Sequence, residues 1–323
     1  MVANDAATLP ASLTGTHLDT GAPVEVRLAG RRSLAEDDVH EFSAVVLGEG
    51  DFRVRTEDRP PPPEFAPGDR LRLGPLPASI LGHLGHPRLV TLRLDGAPAA
   101  IWAGLARHGR PVQYSHLRAP LALWDVWTPI AGPPVAFESP SAGFVLDWAA
   151  LRAMRDRGIT FATLTHAAGL SSTGSLELDL RLPLDEAYRI PAATAAAIRG
   201  ARARGGRIVA VGTTVVRALE HAALADGRVR GGEGLATGRI DGSHRLRVVD
   251  VVLSGAHEPG SSHYRLLGAF ADDATLRRAS ADLESGGYRT HEFGDSVLVE
   301  RREVLRRGAA GSGRAPAKVA LTR

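Results

Sequence analysis

The chain has 323 residues, 44% hydrophobic and 23% charged, with a formal net charge of +3, a globular composition long enough for two cores or one large one. It contains no cysteine, which excludes disulfides, thiolate catalysis and zinc–sulfur sites. No apolar run is long enough to span a bilayer and no basic-then-apolar leader is present, so the sequence reads as cytoplasmic with no membrane partner. Residues 301–323 carry seven Lys/Arg against Glu303, a net of +6, which leaves the body at −3. A basic footprint for nucleic acid is therefore not established over the folded part.

After a short lead over residues 1–11, residues 12–96 alternate in β fashion and form a small all-β domain. Its strands are expected at Ser12–Leu18, Val24–Leu28, Glu41–Leu47, Phe52–Thr56, Arg70–Leu73 and Leu89–Leu94. From Ala97 to about Glu300 helices and strands alternate, which is α/β (α+β mixed) ground. Asp147 is placed to cap a helix reaching Arg157, Ile159–Thr165 form a strand ending in His166, and Pro191 starts an alanine-rich helix. Residues 301–323 read as a flexible basic tail.

The most informative run is Arg207–Glu220. A short apolar strand enters a turn at Gly212, where a ligand can approach without a Cβ in the way, and Thr213 or Thr214 then caps a helix. Its free N–H groups suit an anion. Arg217, in a part of the helix where the dipole disfavours a cation, calls for a nearby carboxylate or phosphate. An ordinary corner with a surface arginine fits the pattern equally well. Ser139–Gly143 is a small-residue loop, either a ligand-hugging segment or a plain turn. Asp185-Glu186 read first as solvated loop charges. Asp250 lies in an apolar strand, so a core ion pair or a site is implied. His257–His263 sets two histidines and two serines around a helix start, suited to anion binding or acid–base work, with Ser261 or Ser262 equally suited to capping. His291 and Glu292 lead into a Gly294-Asp295 turn. No metal-ligand spacing such as H-x-x-x-H occurs, and neither a P-loop, a G-x-G-x-x-G nor a G-x-S-x-G is found.

Together these stretches resemble the S-adenosylmethionine:tRNA ribosyltransferase-isomerases of queuosine biosynthesis. Residues 207–220 are similar to that family's R-[IV]-[IV]-A-V-G-T-T-x-V-R-x-L-E, Pro140–Gly143 to P-T-A-G, Phe161–Leu164 to F-V-T-L, and Arg247–Asp250 to K-V-V-D. Ser254–His257 resembles T-N-F-H, Pro259 and Ser261 the following P-x-S, and Tyr288-Arg289 with Gly294-Asp295 a Y-R-F-x-S-Y-G-D. The resemblance implies a larger α/β barrel-like domain, including the lead, with a smaller all-β barrel domain. It also implies S-adenosylmethionine as ribosyl donor, a 7-aminomethyl-7-deazaguanine in tRNA as acceptor, release of adenine and methionine, and no metal. The sequence departs from the pattern too. It enters at Asn4-Asp5 without the family's opening segment, Val145 replaces a histidine, the family's L-H-V-G-x-G-T-F histidine is displaced by one to His166, and H-S-E keeps only Glu186. These departures leave a small-molecule acceptor, or a binding module without turnover, as alternatives. Carried onto this chain, the resemblance makes His166 or His257 the proton-transfer group with Asp250 orienting it. Gly212, Thr213, Thr214 and Arg217 would hold an anionic end. Pro140, Ser141, Gly143, Glu186, Ser261 and Asp295 complete the expected contacts, together with His263, His291 and Glu292, which are additions to the family pattern.

Overall fold

The computed structural model describes residues 1–290, 293–301 and 319–322. The first half contains β1 (Val2–Asn4), β2 (Ala7–Thr8), β3 (Ser12–His17), β4 (Pro23–Gly30), β5 (Glu41–Leu47), β6 (Arg70–Leu73), β7 (Leu76–His86), β8 (Leu89–Leu94), α1 (Pro98–His108) and β9 (Pro134–Ala136). Next come α2 (Trp148–Asp156), β10 (Ala162–His166), α3 (Leu176–Asp179), β11 (Glu186–Ile190), α4 (Ala192–Ala203), β12 (Val209–Val211) and α5 (Thr213–His221). The remainder holds β13 (Gly232–Ala236), β14 (Val251–Gly255), α6 (Ser262–Leu267), α7 (Asp273–Ser285), β15 (Ser296–Glu300) and β16 (Val319–Thr322).

Strands β3 to β8 close into a barrel in the order β3-β4-β5-β8-β7-β6, every neighbouring pair antiparallel. Alternation drives the closure: β6 exposes Arg70 and Arg72 while Leu71 and Leu73 turn inward and are fully buried. This is the small all-β barrel that the sequence leads one to expect. The strand expected at Phe52–Thr56 is absent. There the Asp51 carboxylate accepts the Arg53 N–H at 2.9 Å, turning the chain toward a short 3₁₀ segment at Thr56–Asp58.

Of the remaining strands, β2 pairs with β9, and eight form one mixed sheet in the order β13-β11-β10-β1-β12-β14-β15-β16. Its centre is parallel, with β1 between β10 and β12, and β12 beside β14. The outer pairings are antiparallel. The lead thus supplies a central strand of the larger sheet. Where a flexible arm was expected, Val319–Thr322 pair with β15. Helices α4, α5 and α7 bury Ile198, Val215, Val216, Leu219 and Leu276 against Val2, Ala210 and Val252, each such side chain contributing about 1.5–3 kcal/mol on removal from water. Asp147 caps α2 as expected, accepting the Ala150 N–H at 2.6 Å. Among the described residues no helix is long and apolar enough to cross a membrane.

Candidate active site

In an open parallel sheet, ligands gather outside the carboxyl ends of the strands. Here those ends belong to β1, β10, β12 and β14, and two adjoining hollows lie beside them, sharing Ala168, Gly169, Thr213, Thr214 and His263. One hollow reaches Ser262 and the Glu186–Arg217 pair. The other is walled by Ser139, Pro140 and Ser141 on one side and by Gly212, Ser254 and His257 on the other.

Gly212 is what lets β12 run into α5 at this point. Its φ of 94° and ψ of 153° lie in a region open essentially to glycine alone. Glycine, not a threonine, occupies the N-cap position, and no side chain caps the helix. Thr213 and Thr214 stand inside the first turn, so the start of α5 offers backbone N–H groups and two hydroxyls to the cleft. The Thr214 hydroxyl receives the Asn4 amide at 3.4 Å. Asn4 also accepts the Ala6 and His166 N–H groups and donates to the His166 carbonyl at 2.9 Å, which ties the ends of β1 and β10 together.

Behind the cleft, Glu186 is a buried hub. One carboxylate oxygen accepts the Gly169 N–H at 2.6 Å, and the other takes Arg217 and stands 3.4 Å from the His166 Nε2. Arg217 also donates to the carbonyls of Leu184, Ala236 and Gly238 at 3.0–3.2 Å. Burial, partly offset by Asp185, brings its guanidinium down to about 10, so it stays charged at neutral pH. At the cleft mouth, the His257 and His263 rings stack with centroids 4.3 Å apart and planes 13° from parallel.

The sequence matches a family model described as "Queuosine biosynthesis protein" over residues 1–299. The chain belongs to the queuosine biosynthesis family. Among its relatives, the S-adenosylmethionine:tRNA ribosyltransferase-isomerase of Thiobacillus denitrificans is 33% identical over 310 residues, covering 94% of this chain and 83% of the relative. The enzyme of the same name from Sorangium cellulosum is 34% identical over 328 residues, covering 93% and 83%. A solved S-adenosylmethionine tRNA ribosyltransferase from Thermotoga maritima aligns over 92% of this chain and 81% of that one, with 23% identity and a TM-score of 0.43. The named relatives are transferase-isomerases, the class of enzyme that characterises this family.

In this member of the queuosine biosynthesis family, the expected site residues divide. Pro140, Ser141, Glu186, Gly212, Thr213, Thr214, Arg217, His257 and His263 meet at the cleft. Gly143 sits one turn further on, where a Cβ would press on Thr128 at 3.1 Å. Ser261 caps α6, accepting the Tyr264 N–H at 3.1 Å, and it is Ser262 that lines the hollow. Three expectations need correcting. His166, one of the two residues expected to transfer a proton, does not line the cleft: its side chain is fully buried, and burial, followed by the charge of Arg217, holds the imidazole well below 6.5. Asp250 does not orient a histidine. It precedes β14, at the opposite end of that strand from Gly255 and His257, and is occupied by the Ile208 N–H at 2.8 Å and by Arg202 and Arg301. Arg217 does not await an anion, because Glu186 is the carboxylate its position called for. Asp295 closes its turn by accepting the Arg289 N–H at 2.7 Å. His291 and Glu292 lie outside the described residues.

Sequence reasoning missed Glu138 and Tyr114. Glu138 lines the cleft, accepts the Ser171 N–H at 3.0 Å and receives the Tyr114 hydroxyl. No motif links the two residues, which come from separate irregular segments. Glu186 was read as a loop charge because nothing local shows that it begins β11 facing α5.

Proposed function

We propose that the cleft at the ends of β1, β12 and β14 binds S-adenosylmethionine as ribosyl donor and serves its transfer to a 7-aminomethyl-7-deazaguanine in tRNA, followed by isomerisation and release of adenine and methionine. One observation carries the reading. Pro140-Ser141, Gly212–Thr214, Ser254–His257 and Glu186, far apart in sequence and each part of a stretch resembling the family pattern, converge on one cleft. The relatives' names support tRNA as the acceptor. In this scheme the open start of α5, with the Thr213 and Thr214 hydroxyls, holds the methionine carboxylate through N–H donors and the helix dipole. His257 removes the proton beside the sulfonium, a task suited to an imidazole whose ordinary pKa lies close to neutral. His263 stacks against it and limits its rotation. The buried Glu186–Arg217 pair fixes the floor on which Gly169 and Thr213 stand. A tRNA substrate places the protein in the cell interior.

The test is mass-spectrometric quantification of adenine and methionine after incubation with S-adenosylmethionine, alone, with deazaguanine-modified tRNA, and with small-molecule extract. Adenine release that depends on the tRNA is the expected result. His257→Ala, checked for folding by circular dichroism, is expected to lower that release about 10²–10⁴-fold. Unchanged release in His257→Ala would remove that residue from the scheme. Adenine formed only with small molecules would overturn the acceptor, and none under any condition would overturn the reaction.

A further inference from the structure

Outside the cleft, at one end of the barrel, an imidazole and two carboxylates meet where the barrel closes. The closing ladder is β3 with β6, and it holds only two residue pairs, Thr16 with Arg72 and His17 with Leu71. The other five barrel ladders hold four or more. His17 is therefore part of the thinnest seam in the barrel, and it is only 3% exposed. Its ring is fixed from two sides: Nδ1 lies 2.7 Å from the Thr20 hydroxyl, and the ring meets Phe65 edge to face at 5.5 Å. Its Nε2 is buried without a hydrogen-bond partner and lies 3.3 Å from an Asp69 carboxylate oxygen. Asp19, from the β3–β4 turn, brings a third donor, and the three ligand atoms lie within 4.8 Å of one another.

We propose that His17, Asp19 and Asp69 form a binding site for a divalent transition-metal ion of the zinc or manganese class, which clips the β3–β4 turn to the start of β6. The donor chemistry fits: one imidazole nitrogen and two carboxylate oxygens suit such an ion, whereas calcium and magnesium prefer oxygen alone. The spacing fits as well. Tetrahedral zinc with bonds of about 2.0–2.1 Å separates its ligand atoms by about 3.3 Å, the distance between Nε2 and the Asp69 oxygen. Ligating histidines commonly have their second ring nitrogen held by a polar partner, and Thr20 stands in that position. The Asp69 oxygen is itself oriented by the Ala66 N–H at 2.8 Å. Sequence spacing does not reveal the site, because Asp69 arrives from the turn before β6, far along the chain. The fourth position is left to water; because the three ligands come from the end of β3, the β3–β4 turn and the start of β6, the ion would hold the seam between them.

The experiment uses the full chain without an affinity tag, stripped with EDTA. Zinc chloride and manganese chloride are titrated separately by calorimetry, and thermal unfolding is followed with and without the ion. The expected result is uptake of one equivalent together with a rise in unfolding temperature. His17→Gln and Asp69→Asn are expected to weaken binding at least about tenfold, the lower end of what loss of even an outer-shell partner costs. Asp19→Asn, at an exposed position with nearly unchanged shape, is expected to do the same and serves if the buried variants fail to fold. Absence of uptake by the unaltered protein would overturn the proposal and leave a plain imidazole–carboxylate pair. Uptake that survives Asp19→Asn and is lost in His257→Gln would also overturn it, assigning the ion to the stacked histidines.

Discussion

The residues that look most chemical in this chain turn out to serve one another. Arg217 and His166 both converge on the Glu186 carboxylate, and none of the three reads as buried from its neighbours in sequence. A buried ion pair of this kind is weak evidence for net stability, since desolvation offsets most of its attraction, but breaking it leaves a charge uncompensated. His166 carries a sharper consequence. Its imidazole is held well below 6.5 by burial and then by Arg217, with Glu186 at 3.4 Å and Tyr188 stacked alongside at 6.5 Å. The native state keeps it neutral, whereas the unfolded chain takes up a proton as pH drops through about 6.5. Its contribution to stability is therefore present above that pH and lost as pH falls toward the lower native value. In urea unfolding between about pH 6 and pH 5, the fall in stability is expected to be shallower in His166→Phe than in the unaltered protein, by up to about 1.4 kcal/mol per pH unit. Parallel pH dependences in the two proteins would show that the ring does not titrate differently on unfolding.

At the scale of elements, the strand–turn–helix corner was legible because an apolar strand, a glycine and a helical run follow one another in sequence. The detail was not. Thr213 and Thr214 have the side chains of caps, yet the cap position falls to Gly212 because only glycine tolerates that backbone, and the threonines are left facing the cleft. Gly212→Ala is expected to cost about 1–3 kcal/mol in strain alone. The space itself is not the obstacle, since a Cβ there would meet Thr214 and Ala142 at ordinary contact distances of 3.5 and 3.6 Å. Denaturant unfolding measures the loss; a change below about 0.5 kcal/mol, the range of ordinary surface substitutions, would mean that the turn relaxes. A second element shows the limit of periodicity. The apolar run from Leu246 predicts one strand through to Leu253, but β14 begins only at Val251. The N–H groups of Arg247, Val248 and Val249 are taken by the Glu220 carboxylate at 2.7–2.9 Å, which substitutes for a neighbouring strand.

Across the whole molecule, the barrel and the cleft are joined by a line of polar contacts. On the outer face of β4, burial opposes ionisation of Glu25, but Arg27 and Arg59 outweigh it and hold the carboxyl below its usual range. The Arg27 guanidinium lies 5.4 Å over the Tyr114 ring, and the Tyr114 hydroxyl donates to Glu138 on the cleft wall. Tyr114→Phe keeps the ring over Arg27 and removes the hydroxyl. It is expected to lower adenine release about fivefold, the worth of roughly one hydrogen bond, with a smaller effect on unfolding by urea. Equal activity in the two proteins would disconnect Tyr114 from the cleft. The mixed α/β class, the small all-β domain, the strand-to-helix corner at Gly212 and the family were legible before folding, because strand alternation, turn residues and ordered motifs are written in neighbouring residues. Which charged residues face a ligand and which face each other emerged only from the folded arrangement. That choice depends on pairs such as Glu186 with Arg217, or Asp250 with Arg202 and Arg301, whose members meet across the sheet once it has formed. Burial in a medium of low dielectric then requires each charge to find its partner inside the protein.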